Sequence, residues 1–459
     1  MERKNFTERC EQILQLLHDR DLANLKSLLA QASEIEIINI LTDLSPEEQV
    51  IVFRLLGKED ALSVFEQLDT DLQQNLLRSF TEEKAIEFVN EMAPDDRVRL
   101  FDEMPASVTK KLLNSLSQQE REITNVLMGY EEETAGRIMT TEFISLRRNM
   151  NVAQAMEKVR RQAPDKESVY TLYVTDDVRM LEGVLSLKDL ICAYAGDHIE
   201  DIMHSGAISV TTDTDQEEVA RKMQDLDLLA IPVVDSEGRM VGIVTIDDAI
   251  DILEEETTED IFDSAGLADV SGESDRSEVL IYGSLWKIWR VRLPILLITL
   301  AFGFFSGFII DGFEDTLEAI AVVAVFIPLI MGMSGNVGTQ SSTVFARGVV
   351  LGHIQMKNFL KHFAKEIGVG LSIGAVIGAA TGIVAWLWQG EPMLGLAVGL
   401  ALVVAITVAS LLGFLVPFVL IKLKIDQAAG SAPIITSIKD IVGLAIYFVL
   451  VTILLGNML

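Results

Sequence analysis

The run Pro328-Leu329-Ile330-Met331-Gly332-Met333-Ser334-Gly335-Asn336-Val337-Gly338-Thr339-Gln340-Ser341-Ser342 carries an apolar stretch into a polar one without a single charge. Glycine, asparagine, glutamine and serine here present backbone and amide groups that lipid cannot satisfy, so they must face protein or water. The same holds for Asp426 and for Gly430-Ser431-Ala432-Pro433 further along. Taken singly, each cluster also reads as polar glue between helices.

Around this run lie five stretches long enough to span a hydrocarbon core of about 30 Å, which takes about 20 helical residues. They cover approximately 293–310, 317–333, 367–387, 394–421 and 432–455. Basic residues orient them. Lys287, Arg290 and Arg292 precede the first; Arg347, Lys357, Lys361 and Lys365 separate the second from the third; Lys422 and Lys424 separate the fourth from the fifth. The alternate loops hold Asp311, Glu314, Asp315, Glu318 and Glu391 and no basic residue. The expectation is an N-terminus inside and a C-terminus outside. The opening Met1-Glu2-Arg3-Lys4-Asn5 runs into charged helical sequence, so no secretory signal is read there.

Asp440 stands some eight residues into the fifth span, roughly 12 Å at the helical rise. It reads as the only acid well inside a span, and an ionisable group at that depth marks an ion or substrate path by default. Its neighbour Lys439 points elsewhere by a helical step of about 100°, with a local pair or an interfacial position for both as the alternatives. In the third span Gly370, Gly374, Gly378 and Gly382 repeat every four residues, a spacing that lets another helix approach closely.

The membrane part is nearly neutral. From Trp286 onward there are 10 Lys/Arg and 8 Asp/Glu, which leaves 27 and 60 in the first 285 residues, a net charge there of −33. Such a field repels nucleic acid and anionic lipid and attracts multivalent cations; plain solubility is the competing reading. Cys10 and Cys192 are too few and too far apart for a disulfide framework or a zinc site.

Within residues 1–131 an apolar residue recurs every 12 positions, at Leu44, Leu56, Leu68, Phe80, Met92, Met104 and Leu116. Most are followed by helix-start chemistry such as Ser45-Pro46-Glu47-Glu48 or Pro94-Asp95-Asp96. The reading is an acidic helical-repeat domain, a stack of short helices burying the periodic residues between neighbours. A second repeat fills 132–255: Ile138-Met139-Thr140 returns as Ile202-Met203-His204, and Gly183-Val184-Leu185-Ser186-Leu187-Lys188-Asp189 as Gly242-Ile243-Val244-Thr245-Ile246-Asp247-Asp248. This doubled β-α-β-type unit resembles the tandem CBS domains, a regulatory module that binds adenosine nucleotides or divalent cations. An acid-rich helix follows, then a Gly/Ser linker at 264–272, so that 256–283 connect to a membrane domain at 284–459.

Acidic helical repeat, CBS pair, acidic connecting helix and five spans, in that order, resemble the MgtE family of magnesium channels. The most specific residues are Pro328, Gly335-Asn336-Val337-Gly338-Thr339-Gln340, and Asp440 followed by Gly443. The resemblance implies a multi-pass protein of a bacterial-type plasma (inner) membrane and a homodimer with its pore between subunits. It places Asp440, Asn336, Gly335, Gln340 and Gly443 at that pore, with Asp426 a further metal candidate. Thr339 departs from relatives that carry a second asparagine there. Mg2+ sheds water reluctantly and demands octahedral oxygen geometry, which carboxylates and carbonyls suit; composition alone does not separate it from Mn2+, Co2+ or Ni2+, and the resemblance is what selects magnesium.

Candidate ligands for regulatory Mg2+ are Asp95 and Asp96, then Asp215, Glu217 and Asp227 in the second CBS copy, then Asp248, Asp251, Glu255, Glu259 and Asp260. Asp213-Thr214-Asp215-Gln216-Glu217 imitates an EF-hand opening, but Glu218 occupies the position that needs glycine. Ser186 with Asp189, and Thr245 with Asp248, are placed to hold a ribose as in other CBS pairs, making ATP a modulator. The alternatives are a nucleotide receptor with a membrane anchor, for which Asp440 has no use, and an enzyme, for which no P-loop, metalloprotease helix or nucleophile elbow is found.

Overall fold

The structure is a computed structural model of the 459-residue chain and describes residues 12–17, 21–68, 70–267, 277, 279–281, 283–423 and 432–455. Asp426, Cys10, most of the Gly/Ser linker and the Gly430-Ser431 pair lie outside the described residues. The chain divides into two compact units, 1–254 and 255–459.

After the helical residues 12–17, nine short helices follow among the described residues of the first unit: α1 (Leu22–Leu29), α2 (Glu34–Asp43), α3 (Pro46–Leu55), α4 (Lys58–Glu66), α5 (Thr70–Ser79), α6 (Glu82–Glu91), α7 (Pro94–Glu103), α8 (Ala106–Ser115) and α9 (Gln118–Leu127). The 12-residue period has a local cause. Leu44, Leu56, Met92, Met104 and Leu116 are the residues at which a helix stops, each with extended backbone and ψ near 150°. Leaving the helix there turns the side chain inward, and Leu44, Leu68, Met92, Met104 and Leu116 are buried in one core. Restarting takes a cap: Ser33 and Glu36 form a reciprocal capping box, as do Ser45 and Glu48. Buried polar side chains collect carbonyls stranded at helix ends, Gln49 from Leu41 at 3.0 Å, Gln73 from Phe65 at 2.7 Å and Arg97 from Val89 at 2.7 Å. Phe53, Phe65, Phe80 and Phe88 pack mutually in the centre.

The doubled unit follows. Its first copy runs α10 (Ala135–Ile138), β1 (Ser145–Leu146), α11 (Val152–Gln162), β2 (Thr171–Thr175), β3 (Leu181–Ser186) and α12 (Leu187–Cys192). After α13 (Ile199–Ile202) and β4 (His204–Ser205), the second copy runs β5 (Val210–Thr211), α14 (Gln216–Asp225), β6 (Ala230–Val234), β7 (Met240–Thr245) and α15 (Ile246–Ser264). In each copy a short strand lies parallel to the next, which pairs antiparallel with the third. Both hairpin turns are fastened alike: Asp176 Oδ1 accepts from the amides of Val178 and Met180, Asp235 Oδ1 from those of Glu237 and Arg239.

The second unit holds α16 (Leu285–Asp311), α17 (Glu314–Ala319), α18 (Ile327–Val350), α19 (Phe359–Gln389), α20 (Pro392–Lys422) and α21 (Ala432–Leu455). Among the described residues, five helical segments are long and apolar enough to cross a membrane. The second of these differs from the sequence expectation of 317–333. A 3-10 turn covers Ala321–Phe326 and the long helix then runs through the whole polar stretch to Val350. Helix satisfies the backbone internally, so the polar run needs partners for its side chains only. The four-residue glycine ladder of α19 meets α20: carbons built on Gly374, Gly378 and Gly382 would stand 2.9, 2.5 and 2.7 Å from the carbonyls of Val403, Gly399 and Gly395. Helix α20 is accordingly the core, with Ala397, Val398, Ala401, Leu402, Ala405 and Ile406 buried. Helix α16 leaves Phe304, Phe305 and Phe308 exposed, a surface suited to lipid, and Arg290 lies over Trp286 at its start.

Candidate functional site

Two glycines of α18, one turn apart, each receive a charged side chain from α21. A carbon built on Gly335 would lie 3.3 Å from Asp440 Oδ1, and one on Gly338 would lie 2.1 Å from Lys439 Cδ and 2.8 Å from its Nζ. The charges diverge along α18 as consecutive positions on a helix must. Among the described residues Asp440 Oδ1 is buried without a hydrogen-bond partner, and so is Ser334 Oγ. Gly443, one turn beyond Asp440, gives Ser334 its room, since a carbon there would stand 3.0 Å from Ser334 Oγ. The sequence candidates Gly335, Asp440 and Gly443 thus converge. Asn336 and Gln340 do not join them: four residues apart, they lie on an exposed strip of α18.

Thr339 has a defined polar role. Its hydroxyl donates to the Gly335 carbonyl at 2.9 Å, lies 3.3 Å from Thr436 Oγ1, and receives the Lys439 ammonium at 3.3 Å. Below it a cavity of about 330 Å³ is lined by Thr339, Ser342, Thr343, Ala346, Arg347 and Val350 of α18, Ile435 and Lys439 of α21, and Thr257, Asp260, Ile261 and Ser264 of α15.

The place of one charged group and the burial of another escaped the sequence reading. Glu366, placed there just before the third span, lies within α19, and its Oε1 accepts from Ser341 and Ser410, each at 2.6 Å. It therefore ties α18, α19 and α20 together, and Asp440 is not the only acid inside a spanning helix. Lys439 was legible as a charge, but its 1 % exposure was not.

The first unit gathers a second set of acids. Arg99 sits between Asp96, at 3.2 Å, and Asp251, at 3.7 Å. Desolvation, then the charges of Asp248, Asp96 and Glu167, holds Asp95 well above the usual carboxylate range, and among the described residues its buried Oδ1 has no hydrogen-bond partner. Asp248 is pushed up to about 7 by desolvation, against the Thr245 hydroxyl bonded to it and with Asp247 and Asp96 adding to the rise. Glu167 and Glu66 are likewise pushed to about 7, by desolvation first and then by Asp247 and Asp96 respectively. Among the sequence candidates, Asp95, Asp96, Asp248 and Asp251 are therefore brought together, with Glu66, Glu167 and Asp247 added. Among the described residues no three His, Cys, Asp or Glu side chains stand in a ligating arrangement, so the acids face one another without forming a closed cage.

The remaining candidates have other engagements. Asp215 caps α14 by accepting from the amides of Glu217 and Glu218, Glu217 pairs with Arg221, and Asp227 is exposed in a left-handed turn at φ 51°. Glu255, Glu259 and Asp260 continue along α15, with Asp260 at the cavity. At the two strand-to-helix junctions Ser186 donates to Asp189 and Thr245 to Asp248, each at 2.6 Å. The pairs are alike in geometry and opposite in charge preference, since Asp189 is only half-buried and its bond to Ser186 lowers its pKa.

Comparisons with known proteins agree with this architecture. Residues 32–133 match the MgtE intracellular N domain, 135–196 and 199–255 the CBS domain, and 327–450 the family described as divalent cation transporter. The magnesium transporter MgtE of Thermus thermophilus is 35 % identical over 96 % of this chain and 97 % of its own, and that of Bacillus subtilis 32 % identical over 97 % of each. Among solved structures, the cytosolic domain of the Mg2+ channel MgtE in complex with ATP is 36 % identical, covers 53 % of this chain and 99 % of its own, and superposes with a TM-score of 0.51. The chain belongs to the MgtE family of divalent cation transporters, a family of membrane transporters and not of enzymes.

Proposed function

We propose that this chain conducts Mg2+ into the cell across the plasma membrane and that Asp440 is where the ion is held. The observation that carries the reading is Asp440 Oδ1, buried, without a hydrogen-bond partner among the described residues, and seated on Gly335. A carboxylate oxygen left without a hydrogen bond inside a membrane domain is a place where a cation or its water is favoured. Magnesium, which holds its hydration shell, is the cargo named for the relatives. The exposed polar strip of Asn336 and Gln340 supports a homodimer with the path between copies, because polar amides halfway along a spanning helix need protein or water opposite them. The three basic junctions support an N-terminus inside and a C-terminus outside.

Regulation follows from the acids. At low internal Mg2+ the carboxylates around Asp95, Asp96, Asp248 and Asp251 repel, and Mg2+ offsets that repulsion and draws the helical repeat and the CBS pair together. Helix α15 carries Asp247, Asp248 and Asp251 in its first turns and the cavity-lining Thr257, Asp260 and Ile261 in its later ones. Compaction at one end is thus passed along one helix to the membrane unit, and high internal Mg2+ favours the closed state to the extent that it binds that state more tightly. The hydroxyl–acid pairs Ser186–Asp189 and Thr245–Asp248 support ATP as a modulator, in keeping with the relative crystallised with ATP.

The test is Mg2+ flux into liposomes, with Mn2+, Co2+ and Ni2+ added in turn. Asp440→Ala abolishes flux while the protein still assembles; normal flux through that variant places the path elsewhere.

A further inference from the structure

Lys439 is almost wholly buried among spanning helices, and among the described residues the only hydrogen bond its ammonium makes is to Thr339 Oγ1 at 3.3 Å. An ammonium has three donors and a burial cost that one hydroxyl does not offset. The room it occupies is purpose-made: any side chain at Gly338 would collide with Lys439 Cδ. What remains to stabilise it is the carboxylate of the next residue, Asp440, with which it is in electrostatic contact. Along α18 the order is Gly335 with Asp440, Gly338 with Lys439, then the cavity of Thr339, Ser342 and Thr343, whose wall includes Lys439. An ion leaving Asp440 toward this end of α18 passes the ammonium.

From this order we infer that Lys439 is a resident counter-ion that limits how long Mg2+ stays at Asp440, a specificity- and rate-determining residue for transport. The inference rests on Asp440 being the ion site. Repulsion scales with the product of charges, so the ammonium acts on a divalent ion with twice the energy it exerts on a monovalent one at the same distance. A bare carboxylate in a low-dielectric path would hold Mg2+ too firmly to release it, and conduction requires a site strong enough to fill and weak enough to empty. The ammonium supplies the weakening. Thr339 sets its strength by holding the ammonium on the cavity side, away from the carboxylate.

The experiment is steady-state Mg2+ flux in liposomes as a function of external Mg2+, with assembly checked by size exclusion. Lys439→Met keeps length and removes charge; half-saturating Mg2+ falls roughly tenfold or more and maximal flux falls with it, as screened coupling at these distances requires. Lys439→Arg retains wild-type half-saturation. Thr339→Val removes the competing acceptor, lets the ammonium lean toward Asp440, and raises half-saturating Mg2+. Opposite shifts in Lys439→Met and Thr339→Val are a signature that mere packing does not produce. If Lys439→Met transports with wild-type half-saturation and maximum, Lys439 is filler and the inference is wrong; if Lys439→Met does not assemble, the direction of the Thr339→Val shift decides. Asp440→Ala separates the two readings. Normal flux in Asp440→Ala removes the ion site itself, whereas a dead Asp440→Ala beside an unaltered Lys439→Met removes only the counter-ion.

Discussion

Gly335 and Asp440 are in contact across two helices, close enough that a β-carbon on the glycine would meet the carboxylate Oδ1 at 3.3 Å and Thr436 Cγ2 at the same distance. Gly335→Ala is therefore a graded test of the site. The neighbours must give by a few tenths of an ångström, so flux falls severalfold with assembly intact, and Gly335→Val, which adds two methyl groups, removes it. Wild-type flux in Gly335→Val shows that Asp440 Oδ1 does not need this space.

Helices α18 and α20 touch backbone to backbone at Gly413, where an added carbon would stand 2.1 Å from the Gly338 carbonyl. Backbone cannot rotate away as a side chain can. Gly413→Ala forces the helices apart and destabilises the membrane unit by about 1–3 kcal/mol, the usual cost of overpacking. Thermal unfolding in detergent measures this directly, and an unchanged midpoint refutes the close crossing.

Glu366 accepts from two serines on two other helices, so its loss is a structural event. Hydrogen bonds to a charged group contribute about 1.5–3 kcal/mol each. The double variant Ser341→Ala/Ser410→Ala lowers the unfolding midpoint more than Glu366→Leu does, because it leaves a half-buried carboxylate without its donors, whereas in Glu366→Leu the two hydroxyls still bond each other at 3.0 Å. Equal midpoints for Glu366→Leu and wild type overturn the clamp.

The acids of the first unit make its stability depend on pH with a definite sign. Glu66, Glu167 and Asp248 are raised from ordinary values near 4 to about 7, and Asp95, Asp96 and Asp251 are raised too. A carboxyl with a raised folded-state value stabilises the fold below its unfolded value and loses that contribution as pH climbs through the folded one. In chelator, the full-length protein resists protease best near pH 4–5 and progressively less up to pH 7 and above. Millimolar Mg2+ flattens the dependence, because the cation replaces the protons. Replacing Asp248, Asp251, Glu255 and Glu259 by uncharged residues flattens it without Mg2+ and weakens closure by Mg2+ while leaving conduction intact. Protection that grows with pH in chelator contradicts the repulsion on which the feedback reading stands.

Much of this protein was present in local sequence, because local physics produced it. The 12-residue period needs only a ten-residue helix, a residue that leaves it and a cap that restarts it, all visible in runs such as Leu44-Ser45-Pro46-Glu47-Glu48. The doubled strand–helix unit was visible as a literal repeat, and the glycine ladder of α19 predicted a close helix contact, though not that α20 would provide it. Hydropathy located the five spans, ended the second too early, because a polar helix buried among its neighbours has the composition of a loop, and began the third too late, because its first turns carry Lys361, Lys365 and Glu366. Distance along the chain hid everything else. Nothing near Glu366 announces Ser341 and Ser410, 25 and 44 positions away, and nothing near Arg99 announces Asp251. Gly335 and Gly338 were legible as small residues, but their purpose, one seating a carboxylate and the other an ammonium, exists only once α21 lies against α18. Composition and period are properties of the chain; the environment of a charge belongs to the packed structure, where burial and neighbours determine what it can hold.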